Sequence, residues 1–146
     1  MNINILQVMK HRYPFLLIDK VIEYEYLKSA KVVKYVSHNE PWVQGHYPNK
    51  PIFPGVLLIE AMGQASGIML IDFSLKQIPN KYGYLVKIEN CKFIRPIYPG
   101  SEIIIDCKMI EKIGDKYIRV EVIAMVERKK VAIVSLIFML KEENDE

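Results

Sequence analysis

Residues 56–75, VLLIEAMGQASGIMLIDFSL, constrain the fold more than any other stretch. Apolar side chains recur there at helical spacing on nearly every face, and Ala61, Gly63, Ala65, Ser66 and Gly67 admit close neighbours. Such a helix must be enclosed by protein or lie in a membrane. The window is long enough to span a bilayer. However, Glu60, Gln64 and Asp72 would sit unpaired in hydrocarbon, and no aromatic or basic anchors bracket the segment. The expectation is a helix over 56–75 wrapped by protein, without membrane insertion.

The rest of the chain reads as the wrapping. A short amphipathic helix begins near Ile3 and ends near Arg12, because the residue before Pro14 is pushed out of the α region. Segments 15–26 and 30–37, rich in aromatic and branched residues, form a hairpin through Lys28 and Ser29. Beyond Pro79, segments 82–97, 102–113, 116–127 and 131–140 read as strands, with a turn at 113–116 and clear alternation at Ile118, Val120, Val122, Ala124 and Val126. Pro96 and the Pro99-Gly100 pair break the first of these. One central helix against about six strands is an α+β arrangement with a mostly antiparallel, strongly curled sheet. A curled sheet still leaves part of an apolar helix bare, so a symmetric dimer is expected, with a site built from both chains.

A chain of 146 residues fits a single domain, 1–146. Its 51% apolar content with 25% charged residues is globular. A formal charge of +3 without a basic cluster argues against a nucleic-acid partner, and 128–130 reads as a solvated hairpin turn. Cys91 and Cys107 lack the paired spacing of a zinc or redox motif and read as buried thiols. The N-terminus has no basic flank, apolar core and cleavage site of a secretory signal, which points to the cytoplasm. The acidic tail, 142–146, is expected to fray.

Candidate chemistry gathers between 38 and 67. Residues 38–54 contain four prolines and form a loop too long for an idle connection. Pro54 at the helix start spends no amide donor, and Gly55 allows close approach to the backbone, so the first-turn amides make a site for negative charge. Glu60 lies on a background of Val56, Leu57, Leu58, Ile59 and Met62. A carboxyl desolvated in this way favours its protonated form and suits proton transfer. Gln64, four residues on, can hydrogen-bond and orient it. His46, between Gly45 and Pro48 with one residue intervening, is a second titratable group in a constrained loop. His38 reads as exposed and His11 as a turn residue, and positions 11, 38 and 46 have no metal-ligand spacing. No nucleophile elbow, phosphate loop or dinucleotide fingerprint is present.

The run GHYPNKPIFPGVLLIEAMGQASG at 45–67 resembles the β-hydroxyacyl-acyl carrier protein dehydratases of fatty-acid synthesis, the FabZ type. That family reads G-H-F-P-x-x-P-x-x-P-G and then L-x-x-E-A/G-M-A-Q, with Tyr47 replacing Phe and Gly63 replacing Ala here. HRYPFLLIDKV at 11–21 and KFIRPIYPGSEI at 92–103 look like two further family signatures. The resemblance implies the hot-dog fold, a long central helix wrapped by a curved antiparallel sheet of six strands. It also implies dimers, commonly assembled as trimers of dimers. His46 and Glu60 match the catalytic pair, contributed by opposite subunits. The Gly55 amide matches the donor to the thioester carbonyl, and Gln64 matches the residue that steadies Glu60.

By the same resemblance the reaction is dehydration of a (3R)-3-hydroxyacyl thioester to the trans-2-enoyl product. No cofactor or metal takes part, and the substrate is carried on the phosphopantetheine of acyl carrier protein. Tyr84 aligns with a tyrosine that gates the acyl tunnel, Tyr82 being the alternative, and Lys92 and Arg95 lie where relatives present basic residues to the acidic carrier. Lys87 and Glu89 depart from the family's small residue followed by Ile-Asp, which admits a specialised paralogue with an altered tunnel. The rival readings are a hot-dog thioesterase, a dehydratase-isomerase, in which the helix carboxylate is typically Asp, and a non-catalytic acyl-binding module.

Overall fold

The structure, a computed structural model, describes residues 2–78 and 81–142. Its elements are α1 (Ile5–Val8), β1 (Lys20–Glu25), β2 (Ser29–Tyr35), α2 (Trp42–Gly45), α3 (Gly55–Ile68), β3 (Lys81–Phe93), β4 (Glu102–Ile113), β5 (Tyr117–Val126) and β6 (Lys129–Glu142). The strands form one sheet in the order β1-β2-β4-β5-β6-β3, and every neighbouring pair is antiparallel. Positive φ at Gly114, and at Glu127 and Arg128, lets the chain reverse tightly at the β4–β5 and β5–β6 turns. This is the α+β hot-dog arrangement.

Helix α3 touches β2, β4, β5 and β3. Four strand spacings separate β2 from β3 in this order, roughly 19 Å on a flat sheet at about 4.8 Å per step. A helix about 10 Å across can reach both only if the sheet curls around it. The alternating pattern of β5 then turns Ile118, Val120, Val122 and Ala124 inward, into one buried cluster with Ala61, Met62, Ala65 and Ile68 of the helix. At 14 residues, α3 is about 21 Å long, and among the described residues no helix is long and apolar enough to cross a membrane.

Several boundaries differ from the sequence expectation, each for a polar reason. The central helix stops at Ile68 rather than running to 75. The Met69 carbonyl accepts the Leu27 N–H at 2.7 Å, and the Ile71 carbonyl accepts the Tyr24 hydroxyl, so β1 and the turn after it satisfy groups that further helix would have used. Asp72 then accepts from the Ser74 N–H at 3.0 Å and hydroxyl at 2.6 Å, turning the chain away. Strand β1 starts at Lys20 instead of 15 because Phe15 and Leu17 give their backbone groups to Gln64. Strand β3 ends at Phe93, before the proline at 96.

The expected loop 38–54 contains the short helix α2. Cys107 is fully buried, and burial pushes its thiol up to about 12. Cys91, by contrast, is only half-buried, which corrects the reading of both thiols as buried. Of the acidic tail, 143–146 lie outside the described residues, as does Pro79.

Candidate active site

Glu60 and Gln64 share one face of α3, where a four-residue spacing brings side chains together. The buried Gln64 amide bridges to the segment ahead of β1. Its Oε1 accepts the Leu17 N–H at 2.9 Å, and its Nε2 donates to the Phe15 carbonyl at 2.8 Å and to Glu60 Oε1 at 3.0 Å. A backbone N–H can only donate and a carbonyl can only accept, so the two backbone partners fix the sense of the amide. It must present a donor to Glu60. The Glu60 side chain keeps 30% exposure within this chain, less enclosed than its apolar sequence context suggests.

His46 is the C-cap of α2, held by its N–H to the Trp42 carbonyl at 2.9 Å. Its Nδ1 lies 2.8 Å from the Ile52 carbonyl, an obligate acceptor, so Nδ1 carries hydrogen and donates. In the neutral ring Nε2 is therefore the bare nitrogen, the form a base requires. Tyr47, at φ 54, packs its ring 4.5 Å from the imidazole. Among the described residues no hydrogen bond or ion pair joins His46 to Glu60 within the chain.

The first intrahelical bond of α3 runs from the Leu58 N–H to the Pro54 carbonyl at 3.0 Å, and Pro54 makes no side-chain cap. The amides of Gly55, Val56 and Leu57 precede that bond and point out of the helix start. Phe93 at the end of β3 lies over this start, its ring reaching 2.9 Å from where a Cβ on residue 55 would stand, so the close approach depends on glycine.

A cavity of about 860 Å³ runs along α3. Glu60, Gly63, Gln64 and Gly67 form one wall, with Leu85, Ile118, Phe138 and Leu140 among the apolar groups facing them. Tyr84 and Tyr82 both line it, their rings 6.3 Å apart, with Lys10 Nζ 3.4 Å above the Tyr82 ring. Lys87 stays out of it, exposed and paired with Glu89 at 2.9 Å, while Glu89 also binds Arg119. These cations hold the Glu89 carboxyl below its ordinary value.

Lys92 and Arg95 are exposed. Arg95 Nη1 donates to the Lys130 carbonyl at 2.9 Å, which joins Arg95 to the basic start of β6, beside the Glu127–Arg128 turn. His38 is exposed, as expected. His11 is not the turn residue its neighbours suggest. It lines the cavity with Nε2 3.7 Å from Glu60 Oε1. No local pattern could have shown this, because the two residues are brought together only by docking of the N-terminal segment on α3.

The loop that carries His46 rests on a buried ion pair. Lys34 of β2, 4% exposed, binds Glu40 Oε1, and Glu40 Oε2 accepts the Ser37 N–H at 2.8 Å. The Glu40 carbonyl accepts the Val43 N–H at 3.2 Å in the first turn of α2. Trp42 meets Phe53 edge to face, 5.4 Å between centroids, and so ties the start of α2 to the strand-like stretch before α3.

The model of the FabA-like domain family matches residues 9–135 of the chain. The 3-hydroxyacyl-[acyl-carrier-protein] dehydratase FabZ of Tolumonas auensis is 44% identical over 112 residues, 75% of this chain and 74% of that protein. The protein of the same name from Photorhabdus laumondii is 47% identical over 108 residues, 74% of this chain and 72% of that one. Among solved structures, the dehydratase heterocomplex ApeI:P of Xenorhabdus doucetiae shares the fold, with a TM-score of 0.74 at 17% identity over 98% of this chain and 94% of that one. The motif around Glu60, the sheet that curls about its helix and these relationships agree: the chain belongs to the FabA-like family, among the FabZ 3-hydroxyacyl-[acyl-carrier-protein] dehydratases.

Proposed function

We propose that this protein removes water from a 3-hydroxyacyl thioester on acyl carrier protein, giving the trans-2-enoyl thioester of fatty-acid biosynthesis, with His46 as base and Glu60 as acid. The observation that carries the reaction is the 44–47% identity to dehydratases of that activity across most of both chains. The geometry supports the two roles. A bare His46 Nε2 removes the proton at C2, while the thioester oxygen, gaining negative charge, is met by the Gly55 amide and the positive end of α3. Glu60 passes its proton to the 3-hydroxyl, the C3–O bond breaks, water leaves, and the C2=C3 double bond forms. Proton exchange with solvent then resets the imidazolium and the carboxylate. No cofactor is required, since neither electrons nor phosphoryl groups are transferred.

The site is shared across a homodimer. Two facts support this: among the described residues no hydrogen bond or ion pair joins His46 to Glu60 within one chain, and the edge strand β3 exposes Tyr84, Leu85, Val86, Ile88 and Phe93, an apolar row suited to a second copy. The same assembly covers the exposed part of Glu60, with three such dimers as the larger unit. Tyr84 gates the acyl channel. Lys92 and Arg95, with Arg128, Lys129 and Lys130 nearby, receive the acidic carrier through long-range attraction. The protein acts in the cytoplasm.

The deciding experiment incubates the protein with a 3-hydroxyacyl carrier-protein thioester and weighs the products. Loss of 18 Da, the mass of one water, from the intact thioester is expected. Release of free acid indicates a thioesterase, and unchanged ligand an acyl-binding module.

A further inference from the structure

We propose that His11 is a positioning residue that, together with Gln64, fixes which oxygen of Glu60 carries the transferable proton. This rests on Glu60 serving as the acid. Gln64 Nε2 donates to Glu60 Oε1 at 3.0 Å, and His11 Nε2 faces the same oxygen at 3.7 Å. Neither contact falls on Oε2. In a protonated carboxyl one oxygen accepts like a carbonyl and the other bears the hydrogen. Two donors converging on Oε1 cast it as the acceptor and leave the hydrogen on Oε2.

The His11 ring is held in the tautomer this requires. Its Nδ1 is buried and, among the described residues, has no hydrogen-bond partner. Hydrogen placed there would be a buried donor without an acceptor, so the neutral ring keeps it on Nε2, the nitrogen that faces Glu60. The ring is also braced. Arg12 grips the carbonyls of His11 and Met9, each at 2.7 Å, and of Leu6 at 2.9 Å, tying the His11 backbone to α1. On the other side the imidazole stacks on Phe15, 6.1 Å between centroids at 27°, and the Phe15 carbonyl is itself bound by Gln64. The segment 11–17 therefore approaches Glu60 as one hydrogen-bonded unit. At 3.7 Å the His11 contact is longer than a hydrogen bond, and a shift of about half an ångström when substrate closes the site makes it one.

The test compares two replacements that differ in where they place an amide nitrogen. His11→Gln sets one near the position of Nε2, whereas the shorter side chain of His11→Asn reaches only that of Nδ1. The expected result is a kcat at least about tenfold lower for His11→Asn with KM within about twofold, and a kcat within about threefold of the parent for His11→Gln, as for a lost and a restored orienting contact. Equal kcat in the two variants, or a loss confined to KM, overturns the inference. A second arm needs no variant: nitrogen-15 NMR of the parent's His11 is expected to show the neutral ring protonated on Nε2, and protonation on Nδ1 overturns it. The parent and Glu60→Gln are assayed alongside. If the parent forms no enoyl product, or Glu60→Gln matches it, the dehydratase reading fails. If both controls behave and the Asn and Gln variants do not separate, only the role of His11 falls.

Discussion

Glu40→Gln isolates the charge that anchors the His46 loop. The replacement keeps the shape of the side chain and a carbonyl oxygen for the Ser37 N–H, and removes only the carboxylate that ion-pairs directly with Lys34, the Asp19 carboxyl remaining as a more distant anion. Lys34 is 4% exposed, and its side chain and that of Glu40 retain 5% and 17% of their surface, so neither solvent nor salt can screen the change well. An ammonium left buried without its partner costs about 3–5 kcal/mol, against less than about 1 for a surface pair. For a chain of 146 residues this lowers Tm by roughly 10 °C, at about 3 °C per kcal/mol. Urea and thermal unfolding of Glu40→Gln, Lys34→Met and the double variant measure the coupling, and the double variant should regain most of the single losses because no unpaired charge remains. A Glu40→Gln loss under about 0.5 kcal/mol, or strictly additive losses in the double variant, refutes the reasoning. Turnover should fall in Glu40→Gln below its melting point, because α2 presents His46 from a start that Glu40 anchors.

Other outcomes follow from the same contacts. His46→Ala and Glu60→Gln should each lower kcat by at least about a hundredfold with little change in melting, and mixing the two inactive variants should restore activity if the sites are shared between subunits. Near-normal turnover in either removes that residue from the mechanism. Gln64→Leu strands the Leu17 N–H and the Phe15 carbonyl, costing at least about 2 kcal/mol by urea titration, and it also frees Glu60 Oε1. Cys107, with its thiol pushed up to about 12 from an ordinary 9.0, keeps its proton when the unfolded chain has lost it. The stability this gives is fully present below pH 9 and is lost as pH rises towards 12, at about 1.4 kcal/mol per pH unit relative to Cys107→Ala. A thiol reagent at pH 8 should label the half-buried Cys91 in the folded protein and reach Cys107 only on unfolding.

The sequence alone determined the enclosure of the central helix, the antiparallel strands and the pairing of Glu60 with Gln64. Apolar periodicity and a four-residue helical spacing are local, and no distant contact is needed to read them. The turn between β5 and β6 was legible as well, although it falls at Glu127 and Arg128 rather than at 128–130. Tertiary structure decided where the helix ends, because the groups that stop it, Tyr24 of β1 and Leu27 of the turn after it, come from some forty residues earlier. It also decided where β1 begins, since Gln64 takes the backbone groups of Phe15 and Leu17 across the core. The placement of His11 against Glu60 and the burial of Lys34 beneath the His46 loop are of the same kind. A side chain's partner across the fold depends on how segments dock, and docking is set by the summed packing of the core rather than by any pattern within the segment itself.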